Sequence, residues 1–153
     1  MIEFRPCPPD AAPAAALVQG MRDEIAALYD GLDLDGPGMP KAGPEELGPP
    51  GGAFVVGFED DVAVCCGGLK RLPDGGCEIK KMFVVSAARG RGVARALLEE
   101  LEDRARALGY EIVRLDTGPK QTRARCMYER AGYEPIENFN RNPLATFFGE
   151  KTL

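Results

Sequence analysis

The chain has 153 residues, which is long enough for one domain with a real hydrophobic core. Its hydrophobic fraction of 44% is ordinary for a soluble protein, and no apolar run approaches the ~20 residues of a membrane helix. The net charge of −5, from 24 acidic and 19 basic residues, argues against a general nucleic-acid surface. We therefore expect a single domain over residues 1–153 that binds neither nucleic acid nor membrane.

The cysteine and histidine content narrows the chemistry further. Five cysteines are present, at positions 7, 65, 66, 77 and 126. Their odd number and the lack of a Cys-x-x-Cys spacing indicate neither a disulfide framework nor a metal site. We expect small buried thiols, kept reduced in the cytoplasm, and Met1–Arg5 lacks the basic start of a signal peptide. Because histidine is absent, a general base must be a carboxylate, Tyr, Cys, the chain terminus or a water.

The first fifty residues predict a strand, a helix and a long loop. Apolar and polar residues alternate over Ile2–Arg5, which is typical of an edge strand, and prolines end it. Asp10 is a candidate N-cap for a helix that reaches about Tyr29, with apolar residues at spacings of three and four. Residues 31–52 are rich in Gly and Pro and are too long for an ordinary connection. They predict a mobile loop with a functional role, the alternative being a domain linker.

Three strands in succession are predicted after this loop. Short turns separate Ala53–Glu59, Val62–Leu72 and Glu78–Val85, so the pattern favours an antiparallel meander. Gly67-Gly68 predicts a bulge or a bend in the second strand.

The third strand leads into a glycine loop that opens a helix. Gly90 and Gly92 lack a Cβ, so the backbone can come close to a ligand, and a helix N-terminus attracts phosphate or pyrophosphate. Arg89 and Arg91 would add positive charge. The loop is not a P-loop, because no Gly-Lys-Ser/Thr is present. It also departs from the dinucleotide fingerprint, since Arg95 stands where a third small residue is required.

The remaining elements complete a mixed α/β sheet. The helix after the glycine loop ends at Gly109, and Glu111–Thr117 follows as a strand parallel to the central one through a right-handed crossover. Gln121–Ala131 predicts another helix, and Tyr133–Ile136 and Ala145–Lys151 predict the last strands. The order β-α-β-β-β-α-β-α-β-β predicts six or seven strands flanked by about four helices.

Arg89, Gly92 and Ala94 match the motif R/Q-x-x-G-x-G/A, and the chain resembles the GNAT superfamily of N-acetyltransferases over about Ala53–Leu153. The resemblance implies a GNAT-like fold in which the central strand and its parallel partner splay apart. It also implies acetyl-CoA as co-substrate, with the pyrophosphate on the loop and the pantetheine arm in the gap between the strands. The implied cofactor-binding residues are Met82, Phe83, Val84, Arg89, Gly90, Arg91, Gly92, Val93, Ala94, Gln121 and Ala124.

The same resemblance implies a catalytic acid at Tyr128, in the pattern Tyr-Glu-Arg-Ala-Gly-Tyr. This Tyr would protonate the departing CoA sulfur, and a phenol with a pKa of about 10 is protonated at neutral pH. The alternative is a helix Tyr packed on the sheet. Gln121 stands where the family usually has Asn, which weakens its match. The arginines Arg123, Arg125 and Arg130 meet CoA phosphates or form a solvated face.

Glu78, eleven residues before Arg89, is the implied general base, acting directly or through a water. The alternative is an ion pair with Lys70 or Lys80. Strict alternation places Glu78 on one face of its strand with Lys80, Met82 and Val84. Glu24 and Tyr29 are second-line candidates for the base, the alternative being that they line the acceptor pocket or face solvent.

The sequence thus predicts an N-acetyltransferase that moves an acetyl group from acetyl-CoA to a primary amine of a small molecule or peptide, by direct attack in a ternary complex. The resemblance also implies that the backbone N–H of Phe83 or Val84 stabilises the oxyanion. The alternatives are a CoA-binding sensor without chemistry and a nucleotide-binding protein that uses Gly90 and Gly92. A cytoplasmic location is expected, without a metal and with a homodimer left open.

Overall fold

The computed structural model describes residues 1–153 and contains seven strands, three α-helices and one short 3-10 helix. The strands are β1 (Glu3–Pro6), β2 (Ala53–Glu59), β3 (Val62–Arg71), β4 (Cys77–Val84), β5 (Ile112–Thr117), β6 (Glu134–Pro135) and β7 (Phe147–Thr152). The α-helices are α1 (Ala14–Leu28), α2 (Val93–Ala107) and α3 (Thr122–Arg130), and the 3-10 helix is Ser86–Ala88. None of the helices combines the length and the apolar character needed to cross a membrane.

The strands form one mixed sheet in the order β1-β2-β3-β4-β5-β7-β6, so the predicted element order and mixed sheet are confirmed. β1 to β4 are antiparallel, β4 and β5 are parallel, and β7 lies between β5 and the edge strand β6. The helix count differs slightly from the expected four or so, since the structure has three α-helices and one short 3-10 helix. The predicted cap at Asp10 is also wrong, since α1 starts only after Pro13 and no side chain caps it.

The last strand starts two residues later than predicted. The side chain of Asn142 accepts hydrogen bonds from the backbone N–H groups of Leu144, at 3.0 Å, and Ala145, at 3.4 Å. Donors held in a loop in this way are not available to a strand ladder, so β7 begins at Phe147.

Apolar side chains pack on both faces of the sheet. The larger core lies under α2 and α3, and it includes Leu97 and Leu101 of α2 together with Val113 and Leu115 of β5. The smaller core lies between the sheet and α1, and it includes Leu47 from the Gly/Pro-rich segment 31–52. Leu47 is only 1% exposed, so this segment packs on the sheet and contributes to the core, unlike a domain linker.

A β-bulge in β4 changes which side chains share a face. Cys66 pairs with Phe83 and Gly68 pairs with Lys80, so Lys81 and Met82 together face Gly67. Lys81 takes the left-handed backbone conformation, with φ +58°. The bulge predicted near Gly67-Gly68 is therefore present, but the extra residue belongs to β4.

The predicted common face of Glu78, Lys80, Met82 and Val84 is wrong for the last two residues. Met82 and Val84 pack against the larger core together with Ile79. Phe83 packs against the smaller core under α1. Because the bulge inserts one residue, the alternation reverses at Lys81, and strict period-two counting fails beyond it.

Candidate active site

The two central strands diverge soon after they start. β4 and β5 pair only at Cys77↔Val113 and Glu78↔Arg114, and beyond these residues they separate. The gap opens into a cavity of ≈ 160 Å³, which we call the splay cavity. Residues of β4 and β5, of the start and middle of α3, of α1, of segment 31–52 and of the loop before β7 line this cavity. From β4, β5, α3 and the last loop they are Ile79–Met82, Leu115–Gly118, Gln121, Tyr128, Asn142, Leu144 and Ala145.

The glycine loop connects the end of β4 to the N-terminus of α2. Gly90 and Gly92 have φ of +80° and +81°, and a Cβ at either position would meet nothing within 4 Å. Conformation, and not crowding, therefore requires glycine at these two positions. Gly92 is the N-cap of α2 and provides no side-chain cap, so the N–H groups of Val93, Ala94 and Arg95 have no acceptor within the protein. Free donors at the positive end of a helix suit a pyrophosphate.

The two arginines of the loop are held by acids. Arg89 donates from Nη2 to Glu24 Oε2 at 2.6 Å and from Nε to the carbonyl of Val84 at 2.9 Å. Arg91 donates to Glu59 Oε2 at 2.8 Å. Arg89 therefore ties the loop both to α1 and to the end of β4, and Arg91 ties it to β2.

Met82, Phe83 and Val84 lie where β4 no longer has β5 as a neighbour. β3 pairs with this part of β4 on the other edge, at Cys65↔Val84 and Cys66↔Phe83. The edge of β4 that faces the gap has no strand partner beyond Glu78, which leaves backbone groups available to an extended ligand.

Tyr128 projects from α3 into the splay cavity. Its side chain is buried, and its hydroxyl contacts Met82 Sδ at 3.8 Å. Burial, and secondarily the charge of Asp116, raise the pKa of the Tyr128 phenol. The group is therefore a proton donor, not an anion, at neutral pH.

Gln121 lies at the start of α3, and Ala124 one turn later packs against the larger core. Gln121 Oε1 accepts from the backbone N–H of Gly118 at 3.1 Å and from the hydroxyl of Tyr29 at 3.3 Å. The Tyr29 hydroxyl also accepts from the backbone N–H of Lys120 at 3.1 Å. Gln121 and Tyr29 therefore brace the turn between β5 and α3 against the end of α1.

Glu78 is fully buried, 0% exposed, at the point where the strands part. Its Oε2 accepts from Asn140 Nδ2 at 2.8 Å and from Lys80 Nζ at 3.4 Å, whereas its Oε1 is buried without a hydrogen bond. Burial raises the pKa of Glu78, and Lys80 opposes this in part. The expected ion pair with Lys80 is present, while Lys70 donates to the carbonyl of Lys41.

Sequence reasoning missed a second carboxylate beside Glu78. Asp116 of β5 lines the splay cavity, and its Oδ2 accepts from Asn140 Nδ2 at 2.6 Å and from Asn142 Nδ2 at 3.0 Å. The amide of Asn140 thus bridges Glu78 on β4 and Asp116 on β5. The repeated Asn at 138, 140 and 142 was the available signal, but nothing local in the sequence places this loop over the splay.

A second cavity, of ≈ 580 Å³, lies between α2 and α3. Arg123 and Arg130 line it together with Arg95 of α2. Arg125 faces elsewhere, pairing with Glu129 at 3.1 Å and lying over the ring of Phe147. Of the three arginines considered together in the sequence, Arg123 and Arg130 therefore line this cavity, whereas Arg125 forms a surface ion pair.

The cysteines differ in their burial. Cys65, Cys66 and Cys77 are buried as expected, and burial raises their thiol pKa to about 11, about 12 and about 12, respectively. Cys126 is exposed on α3, so the expectation of burial is wrong there, because it faces the cavity between α2 and α3.

Comparisons with known proteins identify the family. Residues 21–133 match the family described as Acetyltransferase (GNAT) family. The chain is 35% identical over 113 residues to an IAA acetyltransferase of Azospirillum brasilense, covering 71% of this chain and 73% of that protein.

Solved structures share the fold. An acetyltransferase of the GNAT family from Staphylococcus aureus Mu50 superposes with a TM-score of 0.79 at 18% identity, covering 99% of both chains. The PaiA N-acetyltransferase of Thermoplasma acidophilum, solved in complex with coenzyme A, gives a TM-score of 0.71 at 14% identity, covering 100% of this chain and 99% of that one. The chain therefore belongs to the GNAT family of acetyltransferases and is an acyltransferase of that type.

Proposed function

We propose that the protein transfers the acetyl group of acetyl-CoA to a primary amine of a small molecule or peptide, by direct attack in a ternary complex. The observation that carries the proposal is the set of groups found at the splay cavity and at the end of β4. The buried phenol of Tyr128 lines the splay cavity, the unpaired edge of β4 bounds it, and the free N-terminus of α2 follows the end of β4 in the chain. Acetyl-CoA supplies the activated thioester, and the residues of the chain bind, align and move protons.

Binding of the co-substrate falls to backbone groups. The N–H groups of Val93 and Ala94, freed by Gly90 and Gly92 in their left-handed conformation, face an anion with the dipole of α2 behind them. Arg89 and Arg91 support the loop through their ion pairs with Glu24 and Glu59. The edge of β4 at Met82–Val84 holds the arm and offers the N–H of Phe83 or Val84 to the oxyanion.

Proton movement uses Tyr128 and the two carboxylates. Tyr128 donates to the departing sulfur, because its raised pKa keeps the phenol protonated. Glu78 is the base, and Asp116 connects it to the acceptor amine, since Asp116 and not Glu78 lines the splay cavity. The raised pKa of Glu78 increases its affinity for the proton that the amine must lose.

The substitution Tyr128→Phe tests the proposal, because it deletes the proton donor and keeps the ring. We expect kcat to fall by ~10² to 10⁴, the typical cost of losing a general acid, with CoA affinity nearly unchanged. Thiol release from acetyl-CoA with a panel of amines measures the rate, and calorimetry measures CoA binding.

Tyr110→Phe is the matched control, since the Tyr110 hydroxyl donates to the carbonyl of Gly51 and does not line the splay cavity. Turnover of Tyr128→Phe within about twofold of the parent would contradict the acid role. A parent protein that binds CoA but acetylates no amine would favour the alternative, a CoA-binding sensor.

A further inference from the structure

One cation in the splay cavity, Lys81, has no carboxylate within ion-pair distance. Lys81 lines the cavity from the bulge of β4 and forms no ion pair. Its neighbours are paired, Arg22 with Asp35 at 3.1 Å and Lys80 with Glu78 at 3.4 Å. Burial, and secondarily the charge of Arg22, lower the pKa of the Lys81 ammonium, and the charge of Asp35 opposes this in part. A partly desolvated cation without an ion-pair partner favours an anionic ligand.

The opposite strand offers the complementary charge. Asp116 lines the same cavity, and the amides of Asn140 and Asn142 fix its Oδ2. No protein group donates to its Oδ1, so this oxygen is free to accept from a ligand ammonium. Asp35, the other acid of the cavity, is paired with Arg22.

The rest of the cavity is largely apolar and small. Met21 and Ile25 of α1, Leu34 and Met39 of segment 31–52, and Leu144 line it. Its volume of ≈ 160 Å³ is below the roughly 300–1,000 Å³ of sites for drug-sized ligands. Such a space suits a compact molecule with an apolar group and two opposite charges.

We propose that the acceptor is a free α-amino acid with an apolar side chain. Its ammonium is bound by Asp116, its carboxylate by Lys81, and its side chain packs on Met21 and Ile25. This inference rests on the proposed function, in which Asp116 already meets the amine.

The transfer is balanced within this arrangement. The amine nitrogen forms a bond to the acetyl carbon, and the bond from that carbon to sulfur breaks. The ammonium loses two protons in all. One leaves through Asp116 and Glu78 to solvent, and the other replaces the proton that Tyr128 gives to the thiolate.

The test compares leucine with leucinamide, which has the same side chain and amine but no negative charge. We expect kcat/KM for leucine to exceed that for leucinamide by about 10- to 100-fold, the range of a charge-assisted hydrogen bond. Lys81→Met should remove this preference by slowing leucine alone, while Lys81→Arg should retain it. Lys70→Met is the matched control, since Lys70 lies outside the splay cavity, and it should leave the preference unchanged.

The change in this ratio from the parent to Lys81→Met cancels any general loss of activity and the difference in amine basicity between the two substrates, so a merely structural role of Lys81 would not produce this result. A ratio that Lys81→Met leaves unchanged, or faster acetylation of a leucyl peptide, would overturn the inference while acetyl transfer to amines stands. Absence of transfer to every amine, with CoA binding intact, would overturn the proposed function and this inference together.

Discussion

The glycines of the loop before α2 act through backbone conformation. Gly90 and Gly92 both lie in the left-handed region, and the space where a Cβ would stand is open at each. A side chain is therefore excluded by strain and by whatever the free N–H groups bind, not by neighbouring protein atoms. Gly75, in the turn between β3 and β4, shares both properties, with φ +94° and nothing within 4 Å.

This similarity gives a matched pair of substitutions. Gly92→Glu should abolish most CoA affinity, because it places bulk and negative charge at the anion site. Gly75→Glu should leave CoA binding within about twofold. Both variants should lose a similar ~1–2 kcal/mol of stability, the cost of a non-glycine residue in the left-handed region. Calorimetric titration with CoA and thermal unfolding measure the two effects. Unchanged CoA binding in folded Gly92→Glu would refute the loop assignment.

At the scale of elements, segment 31–52 combines a structural and a functional position. Leu47 is buried in the smaller core with α1, whereas Leu34 and Met39 line the splay cavity. The same segment thus anchors itself on the sheet and forms one wall of the cavity. Truncation of the buried Leu47 side chain should therefore also disturb Leu34 and Met39, which line the splay cavity.

Leu47→Ala tests this coupling. We expect a loss of ~2–5 kcal/mol in the free energy of unfolding, typical of a buried Leu→Ala change, and a raised KM for the acceptor. Leu108→Ala is the control, because Leu108 is 42% exposed and its truncation should cost less than about 0.5 kcal/mol. Urea unfolding and steady-state kinetics give both quantities. If Leu47→Ala lost the expected stability but left KM for the acceptor unchanged, burial of Leu47 would not control the part of segment 31–52 that lines the splay cavity.

Local signals in the sequence predicted most elements and the glycine loop, because helix periodicity, turn residues and Gly90-x-Gly92 act over a few residues. These signals failed to predict side-chain positions that depend on a partner strand or on a distant loop. The reversal of faces after Lys81 arises from two residues of β4 opposing Gly67, which no pattern within β4 reveals. The link from Asn140 to Asp116 joins positions 24 apart in the chain, and it exists only after β5 and the loop before β7 have packed.

Across the whole molecule, the two halves of the sheet meet through few ladder pairs and one polar bridge. β4 and β5 pair at two positions, and the Asn140 amide then joins Glu78 to Asp116 where the strands part. The chain contains no histidine. The acidic limb of the activity profile must therefore come from a carboxylate, from the substrate ammonium, or from both.

The substitution Glu78→Gln separates these sources, since it keeps the shape and removes proton acceptance. Burial raises the pKa of Glu78, and the carboxylate accepts a proton only when ionised, so the parent rate should rise with pH through that raised pKa. In Glu78→Gln we expect a rate ~10² or more below the parent at neutral pH, with partial recovery at high pH, where the amine is already neutral. The measurement is kcat/KM against pH for both proteins on one amine, with Glu129→Gln, on the exposed face of α3, as the control. Parallel profiles that differ by a constant factor would assign Glu78 to the ion pair with Lys80 and leave Asp116 as the base.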